Sequence, residues 1–333
     1  MTAAAGRHAA LPFLLAVALL VLAVWAMGVG ASDISMGRVA QALWAPGTER
    51  ADIVVMQVRL PRVLAGVSAG AALAVAGAIM QAVTGNPLAE PGIMGVNAGA
   101  AFAVVCGLAF LGLTAVSELI WMAFVGAGAA AALVYGLGTA GRSGPTPLKL
   151  VLAGVVVTTF LGSVTTTILL FDAQTLDTVR FWTVGSLKGR QLGDVVAVLP
   201  YLAVALVAAL VCGAQFTAMS LGADVARGLG QNALVWRAIS ALLVVGLAGS
   251  AVAIAGPVGF VGLVVPHIVR MCIGADYRRI LPLCLLGGAA LTLCADTLPR
   301  ALSDRDIPVG ITLAVLGAPF FIWLARRHGG AGA

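Results

Sequence analysis

The sequence predicts an all-α polytopic membrane protein with about ten transmembrane helices in a single domain, and three observations predict it. Hydrophobic residues make up 61% of the 333-residue chain and charged residues only 10%, with a mean hydropathy of +1.07. A soluble domain of this size does not carry such a composition without precipitating. Second, a helix needs roughly 20 apolar residues to cross the hydrocarbon core, and intervals free of Asp, Glu, Lys and Arg recur along the chain at 11–32, 63–89, 91–117, 119–141, 150–171, 195–223, 238–269, 280–295 and 307–325. Third, Gly66/Gly70 and Gly95/Gly99 have the four-residue spacing that lets helix backbones approach closely in lipid.

The interval 11–32 follows Arg7 and has no small-residue cleavage site behind it, so it reads as a retained first helix and not a signal peptide. The segment Ala31–Val58 mixes Ile34, Val39, Leu43 and Trp44 with polar residues, the pattern of a connecting amphipathic helix at the headgroups, closed by the Pro46-Gly47 turn. Arg59 and Arg62 bracket Pro61 ahead of the second span. The Asn86-Pro87-Leu88-Ala89-Glu90-Pro91-Gly92 break then joins the second and third spans by a short, rigid polar turn.

In the interval 150–171, Thr159, Ser163 and Thr166 fall on one helical face at about 100° per residue. Two readings stand side by side: hydroxyls bonded to helix carbonyls or a neighbouring helix, or a polar lining for a substrate path. From 215 to 236, glycines 222, 228 and 230 flank Asp224 and Arg227, which reads as a helix-turn-helix knob, with a plain loop as the alternative. The interval 238–269 is too long for one span. Gly256-Pro257-Val258-Gly259 breaks it into a helix ending near Ala255 and a shorter one from about Val258 to Met271.

Ten spans put both termini on one side. With those termini inside, the basic residues divide ten inside against nine outside, so the positive-inside rule scarcely discriminates. The outer set, with Arg59, Arg62 and Arg300, is expected to be exposed and to meet a partner. The formal charge of +6 comes from Lys and Arg scattered singly, with no basic block or aromatic platform, which excludes a nucleic-acid binder.

Cys106, Cys212, Cys272, Cys284 and Cys294 lack metal or redox spacing, and His267 beside Pro266 reads as a helix-end residue and not a ligand, so no metal site is expected. No phosphate-cradling loop, His-Glu-x-x-His motif or nucleophile–base pair occurs. The chain is therefore expected not to be an enzyme. Glu90, Glu118 and Asp296 fall near span ends, which argues against an ion-coupled secondary transporter, since ion coupling uses buried ionisable groups.

The blocks RLPR, NPLAEPG, SLGADVARGLG, GPVGFVGLVVPHIVR and DIPVGITLAVLGAPFFIWLARR follow one another from residue 59 to 327. Together they resemble the permease family of ABC importers for iron-siderophores, haem and cobalamin. The resemblance implies the type II importer fold over 1–333 as one transmembrane permease domain, in the bacterial inner membrane with both termini cytoplasmic. It implies a second permease subunit, identical or paralogous, two cytoplasmic ATPases that carry ATP and Mg, and a periplasmic binding protein. This chain itself is expected to hold no cofactor.

Residue by residue, the family's docking arginines match Arg59, Arg62 and Arg300. Its cytoplasmic gate, a loop at about 83–92, matches Asn86 and Leu88, with a contribution from near Thr146. Its coupling element, within a loop at about 215–236, matches Gly222, Ala223, Asp224, Ala226, Arg227, Gly228 and Gly230. Here Ala223 and Asp224 stand where two acids are commoner and Val225 replaces an alanine. QTLDTVRFWTVGSLKGR at 174–190 resembles the siderophore branch more than the cobalamin branch.

Overall fold

In hydrocarbon each backbone N–H and C=O must find a partner within its own segment, so the long apolar intervals fold as helices. The computed structural model describes residues 2–30, 32, 34–139, 147–303 and 306–329, and every regular element among them is helical. The chain opens with α1 (Thr2–Gly28), α2 (Met36–Trp44) and the single turn α3 (Arg50–Ile53). A π-helical turn, Val54–Arg59, carries α3 into α4 (Leu60–Thr84). A 3-10 turn, Pro91–Met94, precedes α5 (Val96–Leu111), α6 (Val116–Thr139), α7 (Pro147–Phe171) and the short α8 (Ala173–Val179). Then come α9 (Leu192–Val211), α10 (Gly213–Ser220), α11 (Ala223–Gly228), α12 (Ala233–Ala255), α13 (Val261–Ile273), α14 (Tyr277–Leu302) and α15 (Val309–Gly329).

Seven helical stretches are long and apolar enough to cross a membrane: those of α1, α3–α4, α6, α7, α9, α12 and α14. The shorter apolar helices α5, α13 and residues 309–322 of α15 bring the number of spans to the ten expected from the sequence. The break after Ala255 falls where the sequence puts it. Two of the span limits that differ bear on the arginines. The second span starts at Arg50, so Arg59 and Arg62 lie inside a helix and not ahead of it. The span of α14 continues to Leu302, which moves Asp296 and Arg300 from the expected outer loop into the last helical turns. Charges paired across helices are tolerated inside a span, and an interval defined by the lack of charge cannot include them.

α4 is buried along nearly its whole length and packs against α9, α12, α13 and α14. Its crossing with α14 is backbone to backbone, since a Cβ placed on Gly70 would sit 2.3 Å from the Gly288 carbonyl oxygen. Gly99 on α5 meets Gly126 on α6 in the same way, at 2.3 Å. Gly95, by contrast, caps α5 in a left-handed turn and is not a crossing residue. The amphipathic connector is present as α2, capped by Ser35, with Val39 and Ala42 buried. The bundle end carrying the α1–α2 and α14–α15 connections is termed outer below and the end carrying α10 and α11 inner, after the expected orientation.

Candidate functional site

The polar break after α4 is a folded turn. Thr84 Oγ1 accepts the Asn86 N–H at 3.3 Å, Asn86 Oδ1 accepts the Leu88 N–H at 2.9 Å, and the Asn86 carbonyl accepts the Ala89 N–H at 3.1 Å. An Asn side chain bonding two residues ahead makes the backbone turn locally stiff. Beyond it the chain folds back into the bundle: a Cβ on Gly154 of α7 would lie 1.8 Å from the Ile93 carbonyl oxygen. The turn is thus seated on α7.

Its far contact is the break between α12 and α13. Glu90 Oε1 accepts the Phe260 N–H at 2.8 Å, Asn97 Nδ2 donates to the Val258 carbonyl at 3.2 Å, and Gln81 Nε2 donates to the Gly262 carbonyl at 3.2 Å. Phe260 has φ 68°, the only positive φ outside glycine among the described residues. A bulky residue there is strained and persists only when its surroundings hold it. The Glu90 carboxylate holds its N–H, and its ring lies against Gly317 of α15, where an added Cβ would come within 2.3 Å. Burial pushes the Glu90 carboxyl up to about 7, against the opposing pull of the Phe260 N–H. Glu90 lies between the ends of α4 and α5, as expected, and its carboxyl reaches the start of α13.

At the outer end, Arg59 and Arg62, expected to be exposed, are buried, and Arg300 is partly buried. Arg62 grips Asp296 with two prongs, Nε to Oδ2 at 2.9 Å and Nη2 to Oδ1 at 2.8 Å, and reaches Asp306 Oδ1 at 2.7 Å. Arg300 Nη2 donates to Asp296 Oδ2 at 2.9 Å and Nη1 to the Val29 carbonyl at 3.0 Å. Arg59 donates to the carbonyls of Met27, at 2.6 Å, and Ser32. Asp296 is 0% exposed, so its charge is held by two guanidinium groups and not by water. Lys188 Nζ stands 3.5 Å from Asp306, at the exposed edge of the cluster. Burial opposes ionisation of Asp306, but the bond to Arg62 and the charges of Arg62 and Lys188 prevail and hold its carboxyl below the ordinary range. The outer ends of α4 and α14 and the chain entering α15 are thereby tied together.

The 215–236 stretch is two short helices, α10 and α11, hinged at Gly222 with φ 107°. Asp224 and Arg227 pair on the exposed face of α11 at 2.6 Å, and Gly230, φ 80°, turns the chain toward α12. Ala226 is buried against the knob's base while Gly228 is exposed. The hydroxyls of Ser163 and Thr166 on α7 donate to the carbonyls of Thr159 and Gly162 at 2.8 and 2.9 Å. Thr159, Ser163 and Thr166 all lie on an exposed face of the single chain. Thr146 falls outside the described residues. His267 lies within α13, not at its end, beside Phe320 with ring centroids 5.9 Å apart. No cluster of three or more metal-binding side chains occurs among the described residues.

Sequence reasoning missed Glu90 as a brace and Asp296 and Asp306 as partners of Arg62. A carboxylate between two prolines in an otherwise charge-free stretch from 63 to 117 was the available signal for Glu90. Phe260 had none, because a positive φ at a bulky residue leaves no mark in composition.

The FecCD transport family model matches residues 18–327. The probable siderophore transport system permease protein YfiZ of Bacillus subtilis is 42% identical over 90% of both chains. The ferric enterobactin transport system permease protein FepD of Escherichia coli is 39% identical over 98% of both, and the hemin transport system permease protein HmuU of Yersinia pestis is 36% identical over 96% of this chain and 95% of its own. Among solved structures, a metal-chelate type ABC transporter in an inward-facing conformation superimposes with a TM-score of 0.81 at 28% identity, covering 95% of this chain and 98% of its own. On this match the chain belongs to the FecCD transport family.

Proposed function

We propose that the chain is the permease subunit of an ATP-driven importer that passes a ferric siderophore from a periplasmic binding protein to the cytoplasm. Siderophore, citrate and hydroxamate permeases among its relatives support this cargo. The same machine carrying haem or cobalamin is the second reading, because hemin and cobalamin permeases are relatives of similar identity. ATP and Mg belong to two partner ATPases, and a second permease subunit completes the path. The chain lies in the inner membrane with both termini cytoplasmic.

The observation that carries the gate assignment is the Glu90–Phe260 hydrogen bond at 2.8 Å. Through it the Asn86–Leu88 turn is braced on the interruption between α12 and α13. Moving that turn changes contacts to α7, α13 and α15 at once, which suits an inner gate, with Thr146 as a second contributor. Gly222–Gly230 seats in the ATPase, and the exposed Asp224–Arg227 pair gives it a defined polar face. The hydroxyl stripe Thr159, Ser163 and Thr166 faces the path.

Docking uses the outer face around Arg59, Arg62 and Arg300. Their charges are engaged internally, so a binding-protein carboxylate meets Lys188 first and gains Arg62 by exchange with Asp306, whose side chain is 28% exposed. Reconstitution with an ATPase and a binding protein tests the reading. Uptake of ferric siderophore that needs ATP supports it, and uptake by the purified chain alone under an ion gradient contradicts it.

A further inference from the structure

Arg190 has no part in the gate, the outer ion cluster or the coupling knob. It immediately precedes Gln191, the N-cap of α9, and lines a cavity of about 200 Å³ at the outer end of the bundle, between α5, α6, α9 and α12. Thr114, Arg190 and Asp194 form the wall nearest solvent, whereas Val104, Ile120 and Trp182 form a buried apolar floor. Arg190 is half-buried, and its Nε is buried without a hydrogen-bond partner. Asp194 is the nearest countercharge, but its Oδ2 accepts the Gln191 N–H at 3.0 Å in the capping box of α9. No carboxylate oxygen of the described residues pairs with Arg190, whereas Arg38, Arg62 and Arg300 each meet a carboxylate and Arg59 a carbonyl.

A cavity of this size holds several waters by volume, and Thr114, Arg190 and Asp194 can partner them at the wall, but the floor offers only the Trp182 indole N–H. A guanidinium at the rim of an apolar pocket is instead matched by an anionic head with an apolar tail, because the fork binds phosphate or carboxylate oxygens while the floor takes the chain. We propose that this cavity binds an anionic single-tail end, a phosphate group on Arg190 with an alkyl chain along Val104, Ile120 and Trp182. The same chemistry comes from a membrane lipid, with one acyl chain inserted, or from a soluble alkyl phosphate.

The test is thermal unfolding of the full chain in neutral-lipid nanodiscs, titrated with octyl phosphate, inorganic phosphate and octyl glucoside. Octyl phosphate should raise the unfolding midpoint saturably, and the other two should not at equal concentration, since each lacks half of the ligand. Arg190→Gln should weaken the octyl phosphate effect by on the order of tenfold or more, the cost of a charged hydrogen bond. Val104→Phe, which fills the floor and leaves Arg190 in place, should abolish it, so a folding defect in one variant leaves the other decisive. Equal effects of octyl phosphate and octyl glucoside, or of octyl phosphate on wild type and Arg190→Gln, overturn the proposal. Phosphatidylglycerol retained through purification by wild type and lost from Arg190→Gln identifies a membrane lipid as the occupant. Its absence from both, with the octyl phosphate shift intact, identifies a soluble amphiphile.

Discussion

Replacing Glu90 by Gln keeps an acceptor oxygen for the Phe260 N–H and removes the titrating proton. Burial raises the wild-type carboxyl from an ordinary 4.5 to about 7, and no charged side chain contributes to that shift. Because the folded-state value is the higher one, the folded protein binds the proton more tightly. Its contribution to stability is therefore full below about 4.5 and is lost as pH rises through about 7. At ~1.4 kcal/mol per pH unit, the loss is about 3 kcal/mol. Thermal midpoints of wild type and Glu90→Gln should coincide near pH 4 and separate by pH 8, with the Gln variant the more stable. Glu90→Leu leaves the Phe260 N–H without an acceptor and should cost about 1–3 kcal/mol even at pH 4. A Gln-to-wild-type gap that does not grow between pH 4 and pH 8 would refute the buried brace.

Arg62→Met should destabilise the outer end by about 3 kcal/mol, because Asp296 is left buried with Arg300 alone; adding Asp296→Asn should recover part of the loss in a denaturation cycle, and strictly additive losses would contradict the pairing. Gly70→Leu should prevent assembly of a monodisperse protein on gel filtration, since a Cβ already sits 2.3 Å from the Gly288 carbonyl oxygen; overpacking of this kind costs about 1–3 kcal/mol or more. Lys188→Glu should reduce capture of the binding protein and Asp306→Asn should increase it by releasing Arg62, and unchanged capture in both would remove the exchange mechanism. A flexible linker in place of 220–230 should lose the ATPase in detergent, and stoichiometric retention would count against the coupling role.

The bundle was legible because hydrocarbon forces a long apolar interval into a helix, and the GPVG break was legible because Gly and Pro cannot continue one. The outer cluster was only half visible. RLPR announces two arginines, but nothing near it names Asp296 and Asp306, which lie 234 and 244 residues away from Arg62. The sequence therefore suggested arginines free for a partner, whereas buried cations take partners from their own chain first. The place of Glu90 near span ends was legible, but its contact with Phe260, 170 residues away, was not. The stretch 215–236 takes the helix-turn-helix form of one of its two readings because Gly222 and Gly230 set its turns locally, while α10 also packs on α4 and α14.

We propose above that this chain conducts a ferric siderophore through gates driven by partner ATPases. The most direct test is uptake into proteoliposomes holding the permease with its ATPase and binding protein, with ferric siderophore, haem and cobalamin offered in competition. The account predicts ATP-dependent accumulation of the ferric siderophore that excess haem or cobalamin does not suppress, and accumulation of haem or cobalamin alone would contradict it.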